Sequence, residues 1–508
     1  MKQFLDMVFR RHKKVENMRI FYSVLGVIVL LSSLFCLWLG MQQSVWFDEA
    51  YSIMVAKRPL QELIALVALD THPPLYYILL KGWASIFGWS ELALRSLSVI
   101  FFGASLTVLG LFIRKFFNSR VALYVVGVAA LSPLLIRYGF EIRMYSLASF
   151  VGIAATYTLA KAWYETSEKK KTGYWVLYAV LVALGMYSLY YLALLWISHV
   201  VWLITMWAKG KKKQGTFFEQ PWVYAYGGSV LLFIPWLFAF VKQLSNNALA
   251  PIGQQMNLEN MIGIFSFNFL YKPLWQLTMF ESLMILAVII LVCYSVLTVI
   301  KSAKKDKKSL IFLLVAYIAV PVAVLVVVSF ARSMYVERYL SHIAIGFVAL
   351  NAVTIWLASE RWSRTYRLGV RMFVFAVLLF GVGNLVAVGN FNFQRMQQPD
   401  VKQAAAQLND CRDGSTILAA DPYTAIELEY YLPGCNVYFV AKDDVLRGGY
   451  APLNGSTLQV KDASTFSPES SVVHVVFYGD KEPQLSQTFK NVATQKLQYL
   501  SISSFISE

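Results

Sequence analysis

Acidic and basic residues in this chain of 508 residues gather in short motifs beside long apolar stretches. Asp48 and Glu49 stand in Trp46-Phe47-Asp48-Glu49-Ala50-Tyr51, just past the first apolar run. Glu141 and Arg143 stand in Arg137-Tyr138-Gly139-Phe140-Glu141-Ile142-Arg143-Met144-Tyr145. Glu337 and Arg338 stand in Arg332-Ser333-Met334-Tyr335-Val336-Glu337-Arg338-Tyr339-Leu340, with His342 following. A carboxylate at an apolar boundary gains nothing from snorkelling and loses solvation, so the adjacent pair Asp48-Glu49 points to function. Such a set can take a proton from a hydroxyl while guanidinium groups hold an anion. For Arg332 and Tyr335, interfacial anchoring is the competing reading, because both types favour the membrane boundary.

The elements that must position these residues are membrane helices. Hydrophobic residues make up 58% of the chain and charged residues only 15%, against roughly 25% charged in a soluble domain. A soluble protein of this length could not clothe its surface, and the apolar stretches have helix-spanning length rather than the alternation of a barrel. The net charge is +16, from 45 basic and 29 acidic residues. Its distribution argues against nucleic acid as a partner. Residues 1–395 carry 37 basic and 16 acidic residues, a balance of +21, and residues 396–508 carry 8 and 13, a balance of −5. The basic residues fall in short runs between apolar stretches, the pattern of loops retained in the cytoplasm. A nucleic-acid face would form one contiguous stripe.

These runs predict a polytopic helical bundle of about eleven spans with the N-terminus inside and the C-terminus outside. The expected spans are 20–40, 91–113, 121–137, 146–163, 174–188, 190–206, 221–241, 280–300, 310–330, 340–358 and 372–390. The division is then a membrane domain at 1–395, with a long first outer loop at 41–90, and a soluble outer domain at 396–508. Leu60 to Leu69 has the periodicity of an interfacial helix. The outer loop near 242–280 is turn-rich at Asn246, Asn247, Pro251, Gly253 and Gln254. In the tail, strand-length β-branched runs at 416–420, 437–440 and 472–477 alternate with helical patterns at 401–408 and 424–431, which predicts a small α/β domain.

The first-loop motifs carry a resemblance. Asp48-Glu49 after the first span, His72-Pro73-Pro74-Leu75-Tyr76-Tyr77, and Phe87-Gly88-Trp89-Ser90-Glu91-Leu92-Ala93-Leu94-Arg95-Ser96-Leu97 together resemble glycosyltransferase family 39. These are membrane glycosyltransferases of the GT-C type, related to protein O-mannosyltransferases and aminoarabinose transferases. Glu141-Ile142-Arg143-Met144-Tyr145-Ser146 and Glu337-Arg338-Tyr339-Leu340 are similar to that family's later loop patterns. The resemblance covers about residues 20–390 and implies a polyprenyl-phosphate sugar donor and transfer with inversion. Asp48 matches the family's catalytic carboxylate. Glu49 and Glu141 are second candidates, for acceptor positioning or a metal. Arg143, Arg338 and Lys81 are the candidates for the donor phosphate; Lys81 reads equally well as a snorkelling lysine. His72, Tyr76, Tyr145, Glu337 and Tyr339 complete the expected substrate pocket.

The residue types agree with that chemistry on their own terms. Hydrolysis of a glycoside needs two carboxylates, because an alkoxide must be protonated as it leaves. A sugar phosphate leaves as a stable anion, so one general base and positive charge on the phosphate suffice. A divalent metal held by Glu141 and His72 stays open, though one histidine in a proline-rich loop is more often structural and no close Cys/His ligand cluster exists. Cys411 and Cys435 form either a disulfide or two buried thiols. No Walker motif, dinucleotide loop or nucleophile elbow is present, which favours a lipid-linked donor over a nucleotide sugar. The acceptor is open among glycan, lipid and protein. Two other classes compete: a lipid-linked saccharide transporter, and a scaffold whose outer domain is a sensor. Transporters place charge near the midplane and build from repeats, whereas here the charge lies at outer ends and no repeat is visible.

Overall fold

A computed structural model describes residues 2–210, 215–245, 256–331, 335–388, 401–408, 411, 414–479, 482–497 and 499–507. Of the expected features, Asn246, Asn247, Pro251, Gly253, Gln254 and Arg332 lie outside the described residues, as do the side chains of Glu337 and Tyr339. The helices are α1 (Lys2–Met41), α2 (Phe47–Lys57), α3 (Leu60–Leu69), α4 (Leu75–Phe87), α5 (Glu91–Phe116), α6 (Ser119–Ala130), α7 (Pro133–Gly139), α8 (Tyr145–Tyr164) and α9 (Glu168–Ser188). They continue as α10 (Leu192–Gly210), α11 (Pro221–Ser245), α12 (Leu258–Phe269), α13 (Met279–Ser302), α14 (Lys305–Ser329), α15 (Ser341–Ser359), α16 (Arg364–Val388), α17 (Val401–Gln407) and α18 (Pro422–Tyr431).

Composition divides the chain near residue 395; compactness groups it otherwise. One unit comprises 1–38, 98–237 and 251–386, and the other 39–97, 238–250 and 387–508. In the first unit, eight described helices are long and apolar enough to cross a membrane, and the bent pair α6–α7 makes a ninth. Each of the eleven stretches expected as spans is helical, but α8 and α9, 20 and 21 residues long, fall short of that apolarity. Fifteen positions of α8 are buried, so its polar residues meet protein rather than lipid. Helix α15 is buried along nearly its whole length, and Gly346 lets the Tyr317 ring lie against its backbone. A buried polar chain ties α8 to α11: His199 bonds Thr156 at 3.0 Å and Tyr178 at 2.9 Å, and Tyr178 bonds Tyr226 at 2.7 Å.

The α6–α7 break turns the chain by 67°. Pro133 opens α7, where its missing N–H costs nothing and its fixed φ suits a first helical turn. Gly139 ends α7 against Cys36 and the Phe102 ring, and a Cβ there would sit 2.8 Å from the Cys36 sulfur. The break thus carries Arg137 to Tyr145 through the interior of this unit, where all nine residues are buried.

The second unit holds a six-stranded sheet: β1 (Thr416–Ala419), β2 (Val437–Val440), β3 (Gln459–Val460), β4 (Val472–Tyr478), β5 (Phe489–Leu497) and β6 (Leu500–Ser507), in the order β3-β2-β1-β4-β6-β5. Strands β1 to β4 are parallel, and β6 and β5 close one edge antiparallel. Leu418, Val473, Val475, Phe477 and Phe505 form the core of one face. The first outer loop is helical, with α3 spanning Leu60–Leu69 as its periodicity predicts.

Cys411 and Cys435 are joined in a disulfide across 24 residues, which settles the alternative between bridge and free thiols. Closing a loop of that length removes about 3 kcal/mol of unfolded-state entropy. The C411S/C435S variant is therefore expected to unfold its sheet domain at a midpoint lower by about 3 kcal/mol, measured by denaturation of the purified protein with and without reductant. Reduction should have no effect on the variant.

Candidate active site

Asp48 and Glu49 lie in the first turn of α2, where carboxylates complement the positive end of the helix dipole. Their environments differ. Glu49 is buried, and Arg95 from α5 grips it with Nη1 to Oε1 at 2.6 Å and Nη2 to Oε2 at 3.1 Å. The Trp46 amide donates to the same carboxylate at 3.4 Å. Side-chain exposure is 1% for Glu49 and 0% for Arg95. Arg95 also donates to the carbonyls of Gln43 and Ser44. Asp48 is half-exposed, and its carbonyl accepts from the Ser52 hydroxyl at 2.9 Å. Of two adjacent carboxylates, Glu49 is fully buried against Arg95 and Asp48 is partly buried at the start of α2. Arg95 was quoted within a motif but given no role, although an arginine on an apolar helix face demands a buried anion.

The other end of α2 is closed by Lys81, whose ammonium donates to the carbonyls of Ala56 at 3.3 Å and Arg58 at 2.8 Å. A lysine there neutralises the negative end of the helix. Lys81 thus lies away from Asp48, separated along α2 by about eight residues at 1.5 Å each. His72 is buried with Nδ1 3.3 Å from Asp70 and 3.0 Å from Thr71. Tyr76 is buried edge-on to Tyr77, which meets Tyr51 of α2 in the same manner.

The sheet domain grips this helix. Strand β1 has β2 on one side and β4 on the other, so the strand order reverses there, the place where open parallel sheets bind ligands beyond their carboxyl ends. Tyr423, in the first turn of α18 just past β1, stacks on Phe47 with centroids 4.5 Å apart and planes at 6°. Tyr450 packs edge-on to Phe47 at 5.4 Å. Gly449 approaches so closely that a Cβ would lie 2.9 Å from the Phe47 ring. The Val45 amide donates to the Tyr431 hydroxyl at 2.7 Å, Arg58 donates to the Pro452 carbonyl at 3.2 Å, and Tyr430 donates to the Trp89 carbonyl at 3.1 Å. Lys402 pairs with Glu91 at 3.3 Å. Burial, reinforced by the Glu91 carboxylate, raises the Tyr431 phenol above its ordinary value, so it stays protonated.

In the membrane unit, Arg137 pairs with Glu141 at 3.2 Å one helical turn apart, both buried. The Arg143 amide donates to the Glu141 carbonyl at 2.6 Å. The guanidinium of Arg137 lies 5.4 Å from the ring centroids of Tyr138 and of Phe140, and Tyr138 meets Tyr145 edge-on at 5.1 Å. Glu141 therefore shares its buried loop with two arginines. Arg137 was the missed residue; its i,i+4 spacing from Glu141 was the signal. Arg338 is half-buried on the short helix Glu337–Leu340, and His342 is buried in α15. Among the described residues no group of three or more His, Cys, Asp and Glu is arranged to hold a metal ion. The suggested metal role of Glu141 and His72 gains no support: each carboxylate or imidazole already faces Arg137 or Asp70.

Comparisons with known proteins agree with the motifs. Residues 71–239 match the family model described as dolichyl-phosphate-mannose-protein mannosyltransferase. Two solved structures of ArnT from Cupriavidus metallidurans share the fold. The one bound to undecaprenyl phosphate has a TM-score of 0.62 at 13% identity, covering 96% of this chain and 97% of that one. The apo structure has a TM-score of 0.61 at 12% identity, covering 97% and 98%. A search of curated protein sequences gives no match. The chain thus shares the fold of a multi-pass membrane protein with the ArnT structures, and its residues 71–239 are similar to a family of membrane glycosyltransferases. The resemblance read from the first-loop motifs falls on the family of the matched segment.

Glu49→Gln is expected to leave Arg95 buried without its charge partner and to cost about 3–5 kcal/mol. Asp48→Asn, half-exposed, is expected to change stability by less than about 0.5 kcal/mol. Thermal unfolding of the two variants in detergent checks this. Equal midpoints would mean that the ion pair does not hold α2.

Proposed function

We propose that the protein transfers a sugar, with inversion, from a polyprenyl-phosphate donor to a hydroxyl on the outer side of the plasma membrane. The acceptor hydroxyl belongs to a cell-envelope glycan, a glycolipid or a protein. The observation that carries this reading is the division of labour in α2, where Arg95 consumes Glu49 and Asp48 remains half-exposed at the helix start. The structural relative solved with undecaprenyl phosphate supports a donor of that kind.

In this reading Asp48 accepts the proton of the acceptor hydroxyl as its oxygen attacks the anomeric carbon. The bond to phosphate oxygen breaks on the opposite face, and the lipid phosphate leaves as an anion. No second carboxylate is needed to protonate it. Arg143 and Arg338 are the phosphate-binding candidates, since guanidinium groups match phosphate with paired, charge-assisted hydrogen bonds. Lys81, with two of its three N–H groups spent on α2, has one left for the phosphate. Glu141 serves by holding Arg137 within the same buried loop. Tyr145, His72, Tyr76, Glu337 and Tyr339 are the remaining substrate-binding candidates. The basic loops lie in the cytoplasm and residues 396–508 lie outside as the domain that steadies α2.

Incubation of the purified protein with a panel of radiolabelled polyprenyl-phosphate sugars and membrane extract tests the proposal. Asp48→Asn should lower turnover by about 10²–10⁴ with the fold intact. Arg143→Ala and Arg338→Ala should slow the initial rate by weakening hold on the donor phosphate, each by roughly 1.5–3 kcal/mol. Near-normal turnover of Asp48→Asn would remove it as the base. A wild type inert with every lipid-linked sugar would bring the transporter reading forward.

A further inference from the structure

Away from these residues, α9 and α11 enclose a groove of about 560 Å³, within the range of ligand pockets. Both helices begin at its polar end, at Glu168 and Pro221. Residues 168, 171, 172, 175, 176, 179 and 180 of α9 form one stripe along it, meeting 221, 224, 225, 228, 231 and 232 of α11. The walls are apolar and face outward: Val176 is 60% exposed and Leu231 67%. Gly228 lies in the groove with Ala179 Cβ 3.8 Å from where its own Cβ would lie. The Tyr178–Tyr226 hydrogen bond joins the same two helices.

We infer that this groove is a binding site for an anionic phospholipid, one acyl chain in the groove and the phosphate at its polar end. Three observations select that occupant. Lys169, Lys170 and Lys171 stand in the first turn of α9, where the positive ends of two long helix dipoles also lie. Lys171 reaches only Glu168, at 3.6 Å, and that glutamate's side chain is 83% exposed, so a phosphate can displace it. Trp175, one turn deeper than Lys171, lines the groove with 6% exposure, and its buried indole N–H has no hydrogen-bond partner among the described residues. An indole N–H one turn below Lys171, which lines the groove with Lys169 and Lys170 beside it in sequence, is an arrangement that the phosphate of an anionic headgroup completes. With the basic loops in the cytoplasm, the lipid comes from the inner leaflet, on the opposite side from the proposed transfer. The site is therefore independent of the sugar-transfer reading.

The test uses the full-length protein in detergent, stripped of lipid, with phosphatidylglycerol and phosphatidylcholine of the same acyl chains. Native mass spectrometry and thermal unfolding read binding. Phosphatidylglycerol should bind at least tenfold more tightly and raise the unfolding midpoint. Trp175→Phe keeps the ring and deletes the N–H, and should weaken it about tenfold, the value of one hydrogen bond to an anion. Lys169→Gln, Lys170→Gln and Lys171→Gln combined should remove the preference over phosphatidylcholine. Gly228→Leu should block the groove and abolish retention. A photoactivatable acyl chain should label peptides of α9 and α11. Equal binding of the two lipids, or an undiminished preference in both Trp175→Phe and the lysine variant, would overturn the site. Displacement of phosphatidylglycerol by polyprenyl phosphate would overturn the phospholipid as occupant. If Gly228→Leu fails to fold, Trp175→Phe decides alone.

Discussion

Arg95 and Glu49 leave water together, and much of the assembly around α2 follows from that. A buried guanidinium without a carboxylate, or the reverse, is costly enough to unfold a marginal protein. The pair therefore fixes where the start of α5 meets the start of α2, within tenths of an ångström at 2.6 Å and 3.1 Å. Arg95 Nη2 also donates to the carbonyls of Gln43 and Ser44, the turn that delivers the chain to α2. Once that turn and Glu49 are fixed, the neighbouring Asp48 has little freedom left. The electrostatic cost of burying two charges thus bears on the position of the carboxylate next to them in the chain.

The membrane unit applies the same economy of charge differently. The 67° break between α6 and α7 leads a charged loop through protein interior, where Arg137 and Glu141 neutralise one another. The surrounding rings of Tyr138 and Phe140 add a face to the Arg137 cation. Gly139 is the residue that makes this fit, because any larger side chain would meet Cys36 and Phe102. Charge of this kind cannot be read as anchoring at a lipid boundary, where it would reach for water.

Much of the fold was legible because hydropathy is a strong signal. Runs with few charges gave the long helices, and β-branched runs such as Val437-Tyr438-Phe439-Val440 gave the parallel strands. Strand β3, two residues long, and the last two strands were missed because they lack that mark. β5 is an edge strand whose central positions are exposed and polar, and β6 is rich in serine. The α8 and α9 stretches are less apolar than the other long helices, and fifteen positions of α8 are buried in protein, a setting that a window of sequence cannot tell from lipid. At the site, the Asp-Glu pair was visible but the difference between its members was not. It depends on Arg95, 46 residues away in sequence, and a single chain carries no record of which distant cation closes on which carboxylate. Arg137 was within reach of inspection, since its partner is four residues on. Tyr423, Tyr431 and Tyr450 were not, because nothing in a tail tyrosine announces a partner some 380 residues earlier.

The crevice where β1 and β4 diverge is where folds of this shape hold a nucleotide or other small ligand. Here Phe47 of the protein's own α2 stacks on Tyr423, just past the carboxyl end of β1. A tethered ring of this sort is present at a high effective concentration, so even a weak intrinsic affinity keeps it engaged. The domain thereby holds a neighbouring helix beside the end of the sheet where ligands commonly bind. Divergence of the tail is then constrained at Tyr423, Gly449 and Tyr450, while the far edge of its sheet is at liberty to change.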